Sequence, residues 1–416
     1  MDLIIGAGIS GLSYAAATNN DYLIIERDNQ IGGYCKTIYQ DGFTWDYSGH
    51  FFHFLRPAIR DYVMQHISPD EMLTVRKYTQ IYYNGRHIDF PFQTNIHQLE
   101  QQEFIDCLYD LFTAQDNKTE VKTFKQMLYA KFGRSIAEKF LIPYNTKLYA
   151  TDLDNLDVDA MGRFFPYADK EQIVRNFRNS NNHSYNATFL YPKAGCVRVV
   201  DSVASHVDMS KISFGEYLLS VDLTSHTATT NKRTIHYDHL ISSTPFPRLL
   251  DYCGIPYNKD IYSWNKVLVF NLGFDAKGPE RQNNWIYFPD PSLVFYRVGF
   301  YDNILSQNRM SLYVEIGFSH NDSIPPHDEL LQRTLADLRR CGMVTDQNLV
   351  AHNTVVMDPA YVHITQQSEA DKKEKMQMLA DHDVYSIGRY GAWKYCSLED
   401  NIDDAFQLSK TVNGEL

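Results

Sequence analysis

The chain has 416 residues, room for two or three folded units, and its 44% hydrophobic and 22% charged residues place it among ordinary globular proteins. A net charge of −12 argues against a nucleic-acid partner, because an acidic surface repels polyanions. Six scattered cysteines without a CxxC pattern argue against a zinc ribbon or a disulfide framework and suit a reducing cytoplasm.

The first residues, MDLIIGAGISGL, carry no basic leader, and no run of about 18 apolar residues follows, so neither a signal peptide nor a membrane span is expected. In that setting the sequon Asn186-Ala187-Thr188 reads as incidental. Residues 2–6 read as a buried strand. Gly6-Ala7-Gly8-Ile9-Ser10-Gly11 then opens a small-residue helix, and DYLIIE forms a second strand ending at Glu26. Gly6 permits a tight turn, Gly8 lets the backbone approach a pyrophosphate, and Gly11 lets the helix pack on the sheet. The helix start at Ile9 and Ser10 turns free N–H groups and the positive end of a dipole toward the phosphates. Glu26, about 20 residues beyond the first glycine, can accept from a ribose hydroxyl, with Arg27 beside it. Strand, GxGxxG, helix, strand and acid together predict a bound dinucleotide.

A second glycine pair, Gly32-Gly33, lets the chain wrap the far side of the pyrophosphate. Residues 45–54, WDYSGHFFHF, admit three readings: a metal on His50 and His53, a plain core, or a planar cofactor lying on a glycine backbone. Two histidines without a nearby acid or cysteine make a poor metal site, and no metal is expected. His53 by itself reads as an interior histidine. The glycine pair and the segment Asp46-Tyr47-Ser48-Gly49-His50 resemble the extended motif of the amine-oxidase and glutathione-reductase-like flavoproteins. Those often carry an arginine after the pair; here Lys36 is the nearest cation. The resemblance implies FAD, with Gly49 close to the isoalloxazine and His50 near its reactive N5 edge.

Residues 71–94 are expected to form one hairpin around Asn84-Gly85. Residues 95–190 read as helical, and Pro143 in FGRSIAEKFLIPYNTKLY is expected to end a helix. Short strands follow to 245, the last of them, DHLISSTP, returning to the first domain. Segments between 262 and 318 alternate apolar and polar residues and predict an antiparallel sheet. A helix over 326–343, a strand over 384–389 and a helix over 399–416 complete the chain.

Motifs in order along nearly the whole chain resemble UDP-galactopyranose mutase, a flavin enzyme that contracts a sugar ring. In FGRSIAEKFLIPYNTKLYA the resemblance implies that Asn145 reads the uracil edge and Tyr149 packs on the base. Arg163 in DAMGRFF falls, in a looser match, at a substrate arginine. Tyr287 and Arg297 in YFPDPSLVFYR match a tyrosine and an arginine ten residues apart. DPAYVHI supplies Tyr361 and GRYGAWKY supplies Tyr395 for the diphosphate, and Arg389 for the flavin. The chemistry suits such a ligand: arginine offers a planar fork to phosphate oxygens, and tyrosine adds neutral donors. There are departures. Phe90 in FPFQ stands where a tyrosine is frequent, Gly195-Cys196 replaces a Gly-Gly pair, and Asp404-Ala405 stands near a common glycine. They leave the sugar and the nucleotide open.

Together these readings give an α/β chain with a discontinuous Rossmann-like FAD-binding domain (1–70, 190–245 and 375–416). A helical domain (95–189) and an antiparallel β-sheet substrate domain (71–94 and 246–374) are inserted into it. The resemblance implies an isomerase that interconverts the pyranose and furanose forms of a UDP-sugar such as UDP-galactose, for cell-surface polysaccharide synthesis. Its FAD works as FADH2 without net redox change, with NAD(P)H a candidate reductant and a homodimer a candidate assembly. The reduced flavin is the nucleophile. His50 orients it, and Arg163 and Arg297 stabilise the departing diphosphate. An FAD-dependent amine oxidase or desaturase would share the glycine motifs and the Gly49-His50 region but has no need of a diphosphate clamp. A non-catalytic FAD-binding protein is the remaining alternative.

Overall fold

The computed structural model of the chain describes residues 1–114, 121–178 and 187–415, and Asn186 of the sequon lies outside them. Asp2–Ile5 is buried along its whole length. It sits at the centre of a five-stranded parallel sheet in the order Val384–Ser386, His239–Ser242, Asp2–Ile5, Tyr22–Glu26, Ile212–Phe214. A strand covered on both faces needs no polar side, hence the unalternating apolar run. Helix Ile9–Ala17 packs against the late helix Leu398–Val412. Its Tyr14 donates to the buried Asp2 carboxylate at 2.8 Å.

A second sheet has seven strands in the order Leu349–Met357, Asn265–Phe274, Ser311–Ser319, Arg297–Phe300, Trp285–Tyr287, Thr79–Tyr83, Arg86–Asp89. The strands between 262 and 318 pair antiparallel as expected, and one parallel pair, Trp285–Tyr287 with Thr79–Tyr83, joins them to the hairpin. Thr79–Tyr83 and Arg86–Asp89 form a hairpin that turns at Asn84 and Gly85, at φ 49° and 77°, as a two-residue turn demands. The first part of the expected 71–94 hairpin is corrected. Met72–Arg76 pairs instead with Thr188–Pro192, a partner that no local turn signal could announce.

Helices Gln101–Thr113, Phe124–Ile136 and Ile142–Tyr149 form the helical part, with a π turn at Ala137–Leu141. Pro143 does not end a helix. It stands in the first turn of Ile142–Tyr149, where a missing N–H costs little, and the π turn absorbs the change of register. This helix meets the seven-stranded sheet at Gly317, where a Cβ would lie 2.4 Å from the Lys147 carbonyl oxygen. Helix Gln366–Ala380 was not anticipated from the sequence pattern, and a division at residue 375 falls inside it. Among the described residues no helix is long and apolar enough to cross a membrane.

Candidate active site

Two glycine-rich turns lie side by side beyond the carboxyl end of Asp2–Ile5. A Cβ on Gly11 would stand 2.0 Å from the Gly6 carbonyl oxygen, so no side chain fits there. The Gly32 N–H donates to the Ala7 carbonyl at 2.9 Å, and a Cβ on Gly8 would lie 3.8 Å from the Gly33 Cα. Backbone alone therefore lines the groove between the turns. The helix begins at Gly8 with no side-chain cap and no acid in its first turn, so no side chain answers the N–H groups of Ile9 and Ser10. Glu26 braces the turn, accepting from the Ala7 N–H at 2.7 Å and the Asp28 N–H at 2.8 Å. Arg27 is exposed at the rim. Lys36 is buried in an ion pair with Asp28, so this cation is committed away from the phosphates. A side-chain-free groove, an uncapped helix start and an acid at the end of the second strand fit the pyrophosphate and ribose of a dinucleotide.

Strand Phe43–Asp46 delivers the next segment. Asp46 is fully buried and accepts from Thr37 Oγ1 at 2.7 Å, the Tyr191 hydroxyl at 2.8 Å and the Cys196 N–H at 3.0 Å. Burial raises its pKa against the pull of those donors. A Cβ on Gly49 would meet the Tyr313 hydroxyl at 2.5 Å. Ser48 Oγ donates to Glu315, and the His50 Nδ1 lies 3.0 Å from the Ser48 carbonyl oxygen.

This segment forms one wall of a cavity of about 340 Å³. Three arginines reach the cavity with different partners. Arg297 donates from Nε and Nη2 to both oxygens of the buried Glu315, at 2.7 and 2.6 Å. Burial by itself would lower the Arg297 pKa, but the Glu315 charge more than offsets this and the net shift is well upward. Arg163, 41% exposed, donates to both oxygens of Asp400 at 2.8 and 2.7 Å. Arg389 has no carboxylate partner among the described residues. Its guanidinium lies 5.3 Å from the Tyr361 ring centroid and 4.6 Å from that of Tyr395, two rings stacked at 5.8 Å.

Gly49, His50, Arg163, Arg297, Tyr361, Arg389 and Tyr395 thus meet at this cavity. Asn145, Tyr149 and Tyr287 lie buried behind its wall. Tyr287 stands opposite Arg297 in paired strands and packs edge-on against Tyr144 at 5.1 Å. Tyr149 meets Tyr361 edge-on at 5.9 Å. Asn145 donates from Nδ2 to the Leu141 carbonyl at 2.6 Å. Asn145 Oδ1 and the hydroxyls of Tyr149, Tyr296 and Tyr313 are buried without a partner among the described residues. Such groups are expensive to leave unanswered, and this set suits a polar ligand or ordered water. His53, expected in the core, lines the cavity, and burial pushes its imidazole down to about 4. Glu315 escaped the sequence reading. SLYVEIGF shows an inward acid in a strand but not the arginine it meets.

Residues 4–65 match the family model of the NAD(P)-binding Rossmann-like domain. The crystal structure of reduced UDP-galactopyranose mutase matches at a TM-score of 0.94, with 23% identity over 100% of this chain and 94% of that one. The chain has that fold. A putative protoporphyrinogen oxidase from Exiguobacterium sp. 255-15 matches at a TM-score of 0.79 and 15% identity, over 100% and 99% of the two chains. Putrescine oxidase bound to putrescine matches at 0.67 and 11%, over 99% and 98%. The likeness runs through the whole chain, including both sheets and the helices between them.

Proposed function

We propose that this chain binds FAD and interconverts the pyranose and furanose forms of a nucleotide-linked sugar, with UDP-galactose the first substrate to try. The observation that carries the reading is Arg389, a cation without a carboxylate, faced by two tyrosines, in a cavity walled by Gly49 and His50. An acidic protein that keeps such a charge without a carboxylate partner among the described residues, at the wall of a cavity, has a place for an anion. A sugar diphosphate answers it better than an amine does.

The bound, reduced flavin would supply a nucleophile for the anomeric carbon, with no net redox change. The residues of the chain do the rest. The resemblance gives Arg389 to the flavin and the departing diphosphate to Arg163 and Arg297; because those two are paired to Asp400 and Glu315, we assign the diphosphate instead to Arg389 with the hydroxyls of Tyr361 and Tyr395. Arg297, fixed by Glu315, shapes the opposite wall, and Arg163 closes the rim. His50, tied by Nδ1 to the Ser48 carbonyl, keeps one ring orientation at the cofactor-side wall. Asn145 and Tyr149 remain the proposed uridine contacts, and reach it only if the Tyr361 wall shifts.

The test is a product assay. UDP-galactopyranose is incubated with the yellow protein, with and without dithionite, and the UDP-sugars are separated by chromatography. A new UDP-hexose peak only under reduction supports the reading. No peak with clear stabilisation by UDP means a different sugar. No peak and no stabilisation moves the weight to an amine oxidase or desaturase.

A further inference from the structure

Tyr34 follows the second glycine pair and lines the cavity. Its hydroxyl oxygen accepts from the Asp358 N–H at 2.9 Å, and its ring stands edge-on to Tyr390 at 5.6 Å. Tyr390 in turn donates from its hydroxyl to the Ala360 carbonyl at 3.4 Å. Tyr34, Tyr390 and residues 358–360 thus close a ring of contacts. Tyr361 is the next residue on one side of that ring and Arg389 the next on the other, the two groups proposed to receive the anion.

The two ends of the ring are held differently. Residues 358–361 are tied from behind: the Asp358 carboxylate accepts from Trp264 Nε1 at 2.7 Å, and the Tyr361 N–H donates to Oδ1 of the buried Asn265 at 2.7 Å. The turn that carries Tyr34 rests on glycine. Gly32 and Gly33 stand at φ 111° and 59°, and the turn's backbone bonds run from the Gly32 N–H to the Ala7 carbonyl and from the Cys35 N–H to the Gly32 carbonyl, both at 2.9 Å. Successive glycines lose much conformational freedom when they are fixed. A ligand that fills the groove between Gly8 and Gly33 fixes them, and Tyr34 with them. Burial pushes the Tyr34 hydroxyl up to about 12, so it stays neutral beside a diphosphate.

We infer, resting on the sugar-diphosphate reading, that Tyr34 is a positioning residue that couples the dinucleotide groove to the anion site. A dinucleotide in the groove orders the turn from Gly32 to Tyr34. The Tyr34 hydroxyl carries that order to Asp358, and its ring carries it to Tyr390, so Tyr361 and Arg389 stand in place before the sugar nucleotide arrives. The ordering is met once for both ligands. Each ligand therefore binds more tightly in the presence of the other, and by the same factor.

The experiment uses the FAD-loaded full chain. FAD affinity is read from flavin fluorescence on dilution, with and without saturating UDP, and UDP binding to the loaded protein is read by calorimetry. UDP is expected to tighten FAD at least about fivefold in the unaltered chain and less than about twofold in Tyr34→Phe, which keeps the ring and loses the hydroxyl. A merely structural role would weaken FAD equally with and without UDP and leave that ratio where it was. No UDP binding by the loaded protein overturns the sugar-diphosphate reading and the coupling together. UDP binding that leaves FAD affinity unmoved, or a ratio that Tyr34→Phe leaves intact, overturns the coupling alone. Should Tyr34→Phe fail to fold, Tyr390→Phe, which removes the hydroxyl bonded to Ala360, is read in the same way.

Discussion

The two walls of the cavity hold their arginines in opposite ways. On the strand wall, Arg297 is locked bidentate to a buried acid that also accepts from Ser48. On the C-terminal wall, Arg389 rests against two tyrosine rings and, among the described residues, answers to no carboxylate. The first pair is neutral overall, and its bidentate contact offsets the desolvation of two charges only as long as both members stay. The second charge is offered to whatever enters. A count of basic residues would treat the two alike; their partners separate a structural brace from the proposed anion receiver.

Breaking the brace should give the largest effect. Glu315→Ala strands the Arg297 charge in the interior and is expected to cost about 3–5 kcal/mol of stability in urea denaturation. A loss below about 1 kcal/mol would mean that the guanidinium already reaches water. Removing the receiver should instead act on binding. Arg389→Ala is expected to weaken UDP by about 2–5 kcal/mol, read by calorimetry, with a far smaller change in stability. An unchanged Kd for UDP would remove Arg389 from the proposed diphosphate site.

The pH dependence sharpens the same contrast from behind the strand wall. Lys147 donates to the carbonyls of Phe288 and Asp290, at 3.0 and 2.7 Å, and burial lowers its ammonium from 10.5 to about 7. Between those values the unfolded chain binds the proton and the folded chain does not, so this group makes stability rise with pH from about 7 toward 10.5. Lys147→Met should flatten that part of a Tm-against-pH curve; an unaltered slope would mean that the amine is solvated. The smallest change is expected at the rim, where Arg163→Ala breaks a half-exposed pair with Asp400 for less than about 1 kcal/mol of thermal stability. A larger loss would place Arg163 in the brace.

What the sequence revealed follows from where each signal is stored. The turn from Gly6 to Gly11, the acid at Glu26 and the glycine pair at 32–33 were legible because a backbone groove is written in neighbouring residues. The Asn84-Gly85 hairpin was legible for the same reason. The cavity was legible only as a list. Arg163, Arg297, Tyr361, Arg389 and Tyr395 could be matched to a resembling family, but Glu315 as the partner of Arg297 is a fact of strand pairing across the sheet. The Met72–Arg76 pairing is likewise non-local. Helix Gln366–Ala380 went unread because it buries only Ser368 and Leu379 and so carries no apolar stripe.

The order of strands in the parallel sheet also governs biosynthesis. Its central strand, Asp2–Ile5, is made well before one of its neighbours, His239–Ser242, and before the edge at Val384–Ser386. The helix that covers Ile9–Ala17 follows later still, at Leu398–Val412. Until those segments are made, Asp2–Ile5 can pair only with Tyr22–Glu26, its other edge open and its helix uncovered by Leu398–Val412. Such a nascent chain is a natural client for chaperones that shield unpaired strands, and a stop codon just before residue 398 would forfeit the N-terminal fold along with the C-terminal helix.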